Sequence, residues 1–183
     1  MLDSYRDPVL KGHLVLEAYG KCVYCESKIT HLYFGDIEHI KPKSQFPAER
    51  LDVGNLALAC AVCNNSKGNC WDDAVPLLNP YLDDPATELL ALGYLVVRRP
   101  GHVRARVTIE TLQLNRPELI ERRKERIEML QPLADQYAES QIASVKELLR
   151  IELCRYASDA AEYAFIVRAY LEAAFTLRCD DVG

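Results

Sequence analysis

The sequence lacks any apolar run that approaches the about 20 residues needed to span a bilayer. Residues 1–7 also lack the basic and apolar blocks of a signal peptide, so we expect a cytoplasmic protein. Internal repeats and low-complexity tracts are absent too, which argues against repeat architectures. A chain of 183 residues is long enough to bury a core in one or two compact units.

Positive charge is also scarce, because the formal net charge is −5. Contacts to phosphate groups use Lys and Arg, so this balance counts mildly against nucleic-acid binding. The basic residues nevertheless concentrate in two stretches: Arg98, Arg99, Arg104 and Arg106, then Arg122, Arg123, Lys124 and Arg126. Each stretch can form a local basic face or an ordinary solvated surface, and the sequence leaves both interpretations open.

Seven cysteines are an odd number, which argues against a scaffold built only from disulfides. Four of them form two Cys-x-x-Cys pairs: Cys22 with Cys25, and Cys60 with Cys63. In a cytoplasmic chain such pairs bind metal more often than they form disulfides, and four thiolates make a closed tetrahedral set. We therefore predict a structural zinc, with a redox pair or an iron–sulfur cluster as alternatives. Cys154 lies in a helical apolar pattern and is expected to be a buried small hydrophobe.

An acid and a histidine stand side by side between the two cysteine pairs, at Glu38 and His39, with Asp36 close by. A neutral histidine can take a proton from water, because its pKa lies near the operating pH of most enzymes. A neighbouring carboxylate can hold a divalent cation, which neutralises charge that develops on a phosphate. The combination is typical of metal-dependent phosphodiester hydrolysis.

The segment resembles the HNH (ββα-metal) nucleases, in the subgroup whose fold is braced by two Cys-x-x-Cys knuckles. The resemblance covers about residues 20–70. The matching positions are Glu38-His39-Ile40, Pro42, Asn55-Leu56 and Cys60-Ala61-Val62-Cys63-Asn64-Asn65-Ser66-Lys67. It implies a structural Zn²⁺ and a catalytic Mg²⁺ or another divalent cation such as Mn²⁺ or Ni²⁺.

The resemblance also implies a role for each matching residue. His39 corresponds to the general base, and Asn55 to the asparagine that orients the base through the backbone. Glu38 and Asn64 correspond to metal ligands. The family commonly has Asp where Glu38 stands, so Asp36 is an alternative acidic ligand or a partner of His39.

The remaining polar residues are weaker candidates. Lys67 and Lys43 are expected to contact the substrate phosphate, and Lys67 can equally balance charge near the site or be a plain surface lysine. His13, His31 and His102 have no supporting motif and are expected to be structural or exposed.

The fold class that these patterns predict is α+β: a ββα-metal core with four-cysteine zinc knuckles, then a small β-hairpin and a helical C-terminal region. We expect three segments: a zinc-stabilised nuclease module at 1–75, a connector with the hairpin at 76–110, and helices at 111–183. In the first segment, the patterns predict a helix over 8–19, a β-prone segment over 33–40, a loop over 41–54 and a helical turn over 55–61. In the middle of the chain, they predict an extended connector over 72–88 and strands over 94–97 and 103–109. In the last segment, they predict a helix capped by Asn115 and helices over 140–158 and 160–177.

Later motifs extend the resemblance to the PtuB-type HNH nucleases of Septu anti-phage systems and of some retrons. These motifs are the early Lys-Cys-x-Tyr-Cys-Glu and the Thr-Ile-x-x-Leu-x-Leu-Asn stretch that begins at Thr108. Between them the group often has Asp-Pro, where this chain has Asn79-Pro80. The resemblance implies a DNA-cutting effector that assembles with a PtuA-like ATPase. The helices from Pro117 onward would then dock the partner, or they simply complete this protein's own core.

Three classes of function therefore stand side by side: a metal-dependent nuclease, a non-catalytic zinc-knuckle module that binds nucleic acid or protein, and a redox or iron–sulfur protein. The nuclease interpretation accounts for the largest number of residues. The zinc-knuckle module gives no role to His39 and Asn64, and the redox protein gives none to Glu38, His39 and Asn55.

Overall fold

The structure is a computed structural model that describes residues 4, 6–30 and 34–179; His31 and Tyr33 lie outside them. The chain divides into two compact units. The first unit comprises Met1–Leu89 and Arg98–Leu114, and the second comprises Leu90–Val97 and Asn115–Gly183. Within the described part of the chain, no helix has both the length and the apolar character needed to cross a membrane.

The first unit begins with helix α1 (Pro8–Glu17), which confirms the helix predicted over 8–19. Asp7 caps it, since its carboxylate accepts hydrogen bonds from the backbone N–H groups of Val9 and Leu10. Leu10 and Leu14, one helical turn apart, form its buried face. The helix therefore packs one apolar stripe into the unit.

A ββα core follows, which consists of strands β1 (Asp36–His39) and β2 (Leu56–Ala59) and helix α2 (Ala61–Lys67). The strands pair antiparallel, with Asp36 opposite Ala59 and His39 opposite Leu56. The helical turn predicted over 55–61 is wrong, because residues 56–59 form β2. The run is apolar at every position and fully buried, and periodicity cannot assign such a short run to helix or strand.

Gly35 fixes the entry into β1. Its φ is +66°, and a Cβ at this position would lie 2.7 Å from Leu58 Cδ1 and 2.9 Å from Ile29 Cδ1. Both the left-handed backbone and the close packing require a glycine. The predicted loop over 41–54 is confirmed and contains two short 3₁₀ turns, Pro47–Glu49 and Val53–Asn55.

The first unit ends with helices α3 (Pro85–Glu88) and α4 (Val103–Thr111). The strand predicted over 103–109 is wrong, although its apolar and basic residues alternate. Ala105, Thr108 and Leu112 recur at helical spacing and are buried, which favours a helix. Thr108 Oγ1 also donates to the Arg104 carbonyl, 2.9 Å away, and accepts from Leu78 N at 2.8 Å.

A small hairpin consists of β3 (Leu89–Leu92) and β4 (Leu95–Arg98). The strand predicted over 94–97 is confirmed as β4, but its partner precedes it in the chain instead of following it. Gly93, with φ +58°, supplies the positive φ that the tight turn needs. The turn expected at 99–102 leads into α4 instead.

The second unit contains three helices: α5 (Pro117–Glu139), α6 (Ala143–Ala157) and α7 (Ala164–Phe175). These confirm the predicted helical region. Its core includes Leu130, Leu153, Ile166 and Leu171, all at most 2% exposed. These residues complete the unit's own core, whereas other apolar side chains in the helical region are exposed: Met129, Ile142, Val145, Leu148 and Ile151.

Two expectations for the second unit need correction. Asn115 does not cap α5; its side chain accepts from Val96 N and donates to Val96 O, and Arg116 occupies the cap position. Cys154 is buried as expected, but it forms a disulfide with Cys179 instead of remaining a free thiol. Neither pairing has a local sequence signal, because the partners lie 19 and 25 residues apart.

Candidate functional site

Four cysteine sulfurs converge in the first unit. The Sγ atoms of the two Cys-x-x-Cys pairs all lie within 4.8 Å of one another, and Cys25 Sγ lies 3.9 Å from Cys60 Sγ. Sulfurs bound about 2.3 Å from a tetrahedral zinc are separated by about 3.8 Å, so the tetrad fits this ion. The chemistry of the donors and their spacing fit the predicted structural zinc.

Local backbone structure prepares these sulfurs for a metal. Cys60 is the N-cap of α2, and its Sγ accepts from Cys63 N at 3.4 Å. Val23 N donates to the Leu58 carbonyl, which attaches the first knuckle to β2. Hydrogen bonding with Cys22 lowers the pKa of Cys60 to about 7 and that of Cys25 well below its usual value. Part of the tetrad is therefore readily ionised to thiolate, the form that binds zinc.

The candidate base, His39, is the last residue of β1 and is 6% exposed. Its Nε2 lies 3.1 Å from the backbone carbonyl of Arg50. A carbonyl oxygen only accepts, so this bond assigns the proton of the neutral ring to Nε2 and the basic lone pair to Nδ1. Burial lowers the pKa of His39, the bond to Arg50 opposes this shift, and the positive charge of Lys43 adds to it. The environment therefore favours the neutral imidazole that a general base requires.

Asn55 holds the loop that presents the Arg50 carbonyl. Its Oδ1 accepts from Lys41 N at 2.7 Å, and its Nδ2 donates to the carbonyls of Lys41 and Glu49, at 3.1 and 3.2 Å. The side chain is buried, so it ties the two ends of the loop together without contact with solvent. This geometry supports the predicted role of Asn55, which is to orient the base through the backbone.

The two acids on β1 have different partners on α2. Asp36 Oδ2 accepts from Asn64 Nδ2 at 3.1 Å, and both side chains are partly exposed. Glu38 Oε1 pairs with Lys67 Nζ at 2.5 Å, and these side chains are only 6% and 1% exposed. Burial raises the pKa of Glu38, while the charge of Lys67 opposes the shift.

The structure revises the expectation for Lys67. Its ammonium also donates to the His39 carbonyl at 2.8 Å, so it lies inside the module and balances charge there. It is not a surface lysine, and its burial does not fit contact with a substrate phosphate. Lys43, the other candidate for phosphate contact, is exposed and close enough to His39 to lower the pKa of that side chain.

Two further histidines occupy the places expected of residues without a catalytic motif. His13 is exposed on α1, and His102 Nδ1 pairs with Glu88 Oε2 at 3.1 Å.

No residue pattern indicated the Arg50 carbonyl as part of the site, because any residue type presents the same backbone oxygen. The only available signal was Asn55, whose side chain fixes the loop.

Comparison with known proteins agrees with this geometry. Residues 22–70 match the model of the HNH endonuclease family. The Septu protein PtuB of Bacillus thuringiensis is 28% identical over 109 residues, which cover 59% of this chain and 42% of that protein. The Septu protein PtuB of Bacillus mycoides (strain KBAB4) is 28% identical over 152 residues, which cover 66% of this chain and 52% of that protein.

The chain thus spans about half the length of the curated relatives it matches. The match to the HNH family contains both cysteine pairs, β1, β2 and α2, which are the elements that form the site. The module formed by residues 22–70 is an HNH endonuclease domain, set in a chain that is similar to Septu protein PtuB.

Proposed function

We propose that this protein hydrolyses phosphodiester bonds of DNA, with His39 as the general base, as the nuclease effector of an anti-phage complex. The observation that carries the proposal is the hydrogen bond between His39 Nε2 and the Arg50 carbonyl, inside the HNH endonuclease domain. This bond leaves the basic lone pair on Nδ1, where it can take a proton from water.

The chain's own residues perform the proton transfer and the positioning. Nδ1 of His39 accepts a proton from water as the water oxygen attacks phosphorus and the bond to the leaving oxygen breaks. The Arg50 carbonyl stabilises the resulting imidazolium, because it accepts the Nε2 hydrogen throughout. Asn55 keeps that carbonyl in place by holding Lys41 and Glu49.

A divalent cation would be held by carboxylate and amide oxygens at β1 and α2, within the set Asp36, Glu38 and Asn64. These are the ligands that Mg²⁺ and Mn²⁺ prefer, so the residues present fit such an ion. When bound, it would neutralise charge on the phosphate and stabilise the leaving oxygen. Lys43 is exposed on the loop after β1 and is our candidate for contact with the same phosphate.

Plasmid nicking in the presence of Mg²⁺ or Mn²⁺ tests the proposal. His39→Ala should lower the cleavage rate by about 10²–10⁴-fold, the usual contribution of a general base, with little loss of stability. His13→Ala is the matched control, because His13 is exposed on α1 and should leave the rate unchanged. Undiminished cleavage by zinc-loaded His39→Ala protein would reject the assignment of the base. A wild-type protein that binds DNA but never cuts it would favour the zinc-knuckle binding module.

The distribution of charge supports a partner that supplies part of the DNA-binding surface. Four of the eight basic residues in the two arginine-rich stretches form ion pairs within the chain: Arg104 with Asp83, Arg106 with Glu110, Arg122 with Glu125, and Lys124 with Glu121. Arg123 is buried and donates to the Tyr94 carbonyl. These residues therefore add little net positive potential, as the charge of −5 also indicates.

We propose that the partner is a PtuA-like ATPase and that the complex acts in the cytoplasm. The similarity to the two Septu proteins supports this assignment. Co-expression of the chain with such an ATPase should give a complex that co-elutes in size-exclusion chromatography and cuts DNA faster than the chain alone. Separate elution together with an unchanged cleavage rate would contradict the partnership.

A further inference from the structure

The acids of β1 and the polar residues of α2 form two separate pairs, and their arrangement follows from backbone geometry. Alternate residues of a strand share one face, so Asp36 and Glu38 lie on the same side of β1. Residues three apart on a helix share one face, so Asn64 and Lys67 both turn toward that side. The resulting pairs are Asp36 with Asn64 and Glu38 with Lys67.

We propose that Asp36 and Asn64 hold the divalent cation of this domain, and that Glu38 and Lys67 form an internal ion pair that positions β1 against α2. This inference rests on the proposed nuclease function, and it assigns the metal ligands within the site. The sequence analysis left both Glu38 and Asp36 as candidate acidic ligands, and the inference selects Asp36.

The two pairs differ in their exposure to solvent. A cation that acts on a substrate needs coordination positions open to water or phosphate, since Mg²⁺ usually keeps several waters and few protein ligands. The partly exposed pair of Asp36 and Asn64 satisfies this need. The side chains of Glu38 and Lys67, at 6% and 1% exposed, leave little room for a hydrated ion.

Charge compensation points the same way. A cation bound by Glu38 would repel the ammonium of Lys67, 2.5 Å from Glu38 Oε1, and would leave it buried without its counter-charge. The Asp36 carboxylate accepts a hydrogen bond from the side-chain amide of Asn64. Since Asn64 Nδ2 is the donor in that contact, the amide oxygen of Asn64 is the atom that can bind a cation next to the Asp36 carboxylate.

The ion pair has its own role in positioning. Lys67 Nζ contacts both Glu38 Oε1 and the His39 carbonyl, so one ammonium joins the end of α2 to the last two residues of β1. The backbone of the candidate base is thereby fixed from the α2 side, while its ring is held from the loop side by Arg50.

Mn²⁺ binding to the zinc-loaded full chain, measured by electron paramagnetic resonance, tests the assignment without reference to cleavage. Asp36→Asn should weaken Mn²⁺ binding by at least about tenfold, the scale on which metal-site substitutions act. The double variant Glu38→Gln with Lys67→Met removes both charges of the ion pair and should keep most of the affinity. Glu49→Gln is the control for a carboxylate elsewhere in the same module.

A double-mutant cycle tests the ion pair itself. Lys67→Met alone should lower the stability of the first unit, and Glu38→Gln in the same chain should restore part of it. Loss of Mn²⁺ binding in the double variant, with binding retained in Asp36→Asn, would overturn the proposal.

Crystals of the wild-type protein soaked in Mn²⁺ provide a second measurement that needs no variant. An anomalous peak beside Asp36 and Asn64 is the expected result. A peak beside Glu38 with Lys67 displaced, or no peak in the domain, would overturn the assignment. A protein that binds Mn²⁺ at Asp36 and Asn64 but cuts no DNA would instead refute the proposed function and leave this assignment intact.

Discussion

The two units of the molecule bury different kinds of residue. Among the described residues, Arg123 is the buried charged or polar side chain of the second unit, whereas the first unit buries six: Lys21, Glu38, His39, Asn55, Lys67 and Thr108. Buried polar groups are costly unless each finds a partner, and four of the six belong to the candidate site: Glu38, His39, Asn55 and Lys67. The second unit is an ordinary helical core with one disulfide. The first unit therefore combines buried polar pairs with a cysteine tetrad that fits a structural zinc, whereas the second relies on apolar packing.

Zinc removal should produce the largest difference in stability between the two units. Cys60→Ser should unfold the first unit, because structural zinc sites contribute about 10 kcal/mol or more to folding, while α5–α7 keep their amide protection. Hydrogen exchange measured by mass spectrometry, together with zinc content, would show the contrast. Cys70→Ser is the control, since Cys70 is exposed and outside the tetrad. A normal melting curve for Cys60→Ser would argue against a structural zinc.

A cavity in the helical core should affect only the second unit. Leu153 is fully buried, so Leu153→Ala should lower the free energy of unfolding of this unit by about 2–5 kcal/mol and leave the zinc content unchanged. Leu148→Ala, at a residue that is 67% exposed, should change it by less than about 0.5 kcal/mol. Urea denaturation followed by helical circular dichroism makes the comparison. Zinc loss from Leu153→Ala would show that the two units do not unfold independently.

The disulfide should contribute to the second unit alone. It closes a loop between residues 25 apart, and cross-links of this kind stabilise by about 2–4 kcal/mol. Cys179→Ser should therefore lower the melting temperature of the helical unit without change in Mn²⁺ or zinc binding by the first. An unaltered melting temperature would show that the cross-link does not stabilise the fold.

The smallest expected effect is a dependence of the second unit's folding stability on alkaline pH. Tyr170 Oη donates to Gln131 Oε1 at 2.5 Å, and burial, with the charge of Asp135, raises the pKa of this phenol above its usual value. The folded state favours the neutral phenol of Tyr170. Its contribution to folding stability is therefore complete below the pKa of an unfolded tyrosine, near 10, and is lost as the pH rises through the higher pKa of Tyr170 in the folded protein.

Wild-type protein should therefore lose more stability than Tyr170→Phe as the pH is raised above 9, by a small amount because the bond is exposed to solvent. Urea midpoints measured across this range provide the comparison. Parallel curves for the two proteins would mean that Tyr170 does not contribute to the pH dependence.

Sequence patterns predicted the parts of the fold that depend on local signals. The apolar stripe after Pro8 predicted α1, and the periodicity after Pro117 predicted the helices of the second unit. Predictions failed where the apolar residues of one segment fit both the two-residue period of a strand and the spacing of a helix. The 103–109 segment alternates like a strand, yet Ala105 and Thr108 pack at helical spacing, and only their neighbours in the folded unit select the helix.

The sequence alone determined the components of the site. The two Cys-x-x-Cys spacings set the tetrad, and the order of Glu38, His39, Asn55 and Asn64 identified the HNH endonuclease motif, because zinc chemistry and the ββα fold both constrain residue type and spacing.

The tertiary structure alone decided which partner each side chain takes. Asp36 and Glu38 differ little as carboxylates in the sequence, and they acquire distinct partners only when β1 packs against a helix that begins more than twenty residues later. That packing buries Glu38 with Lys67 and leaves Asp36 partly exposed beside Asn64. Burial and pairing of this kind depend on the three-dimensional arrangement of elements that are distant in sequence, and no local pattern encodes them.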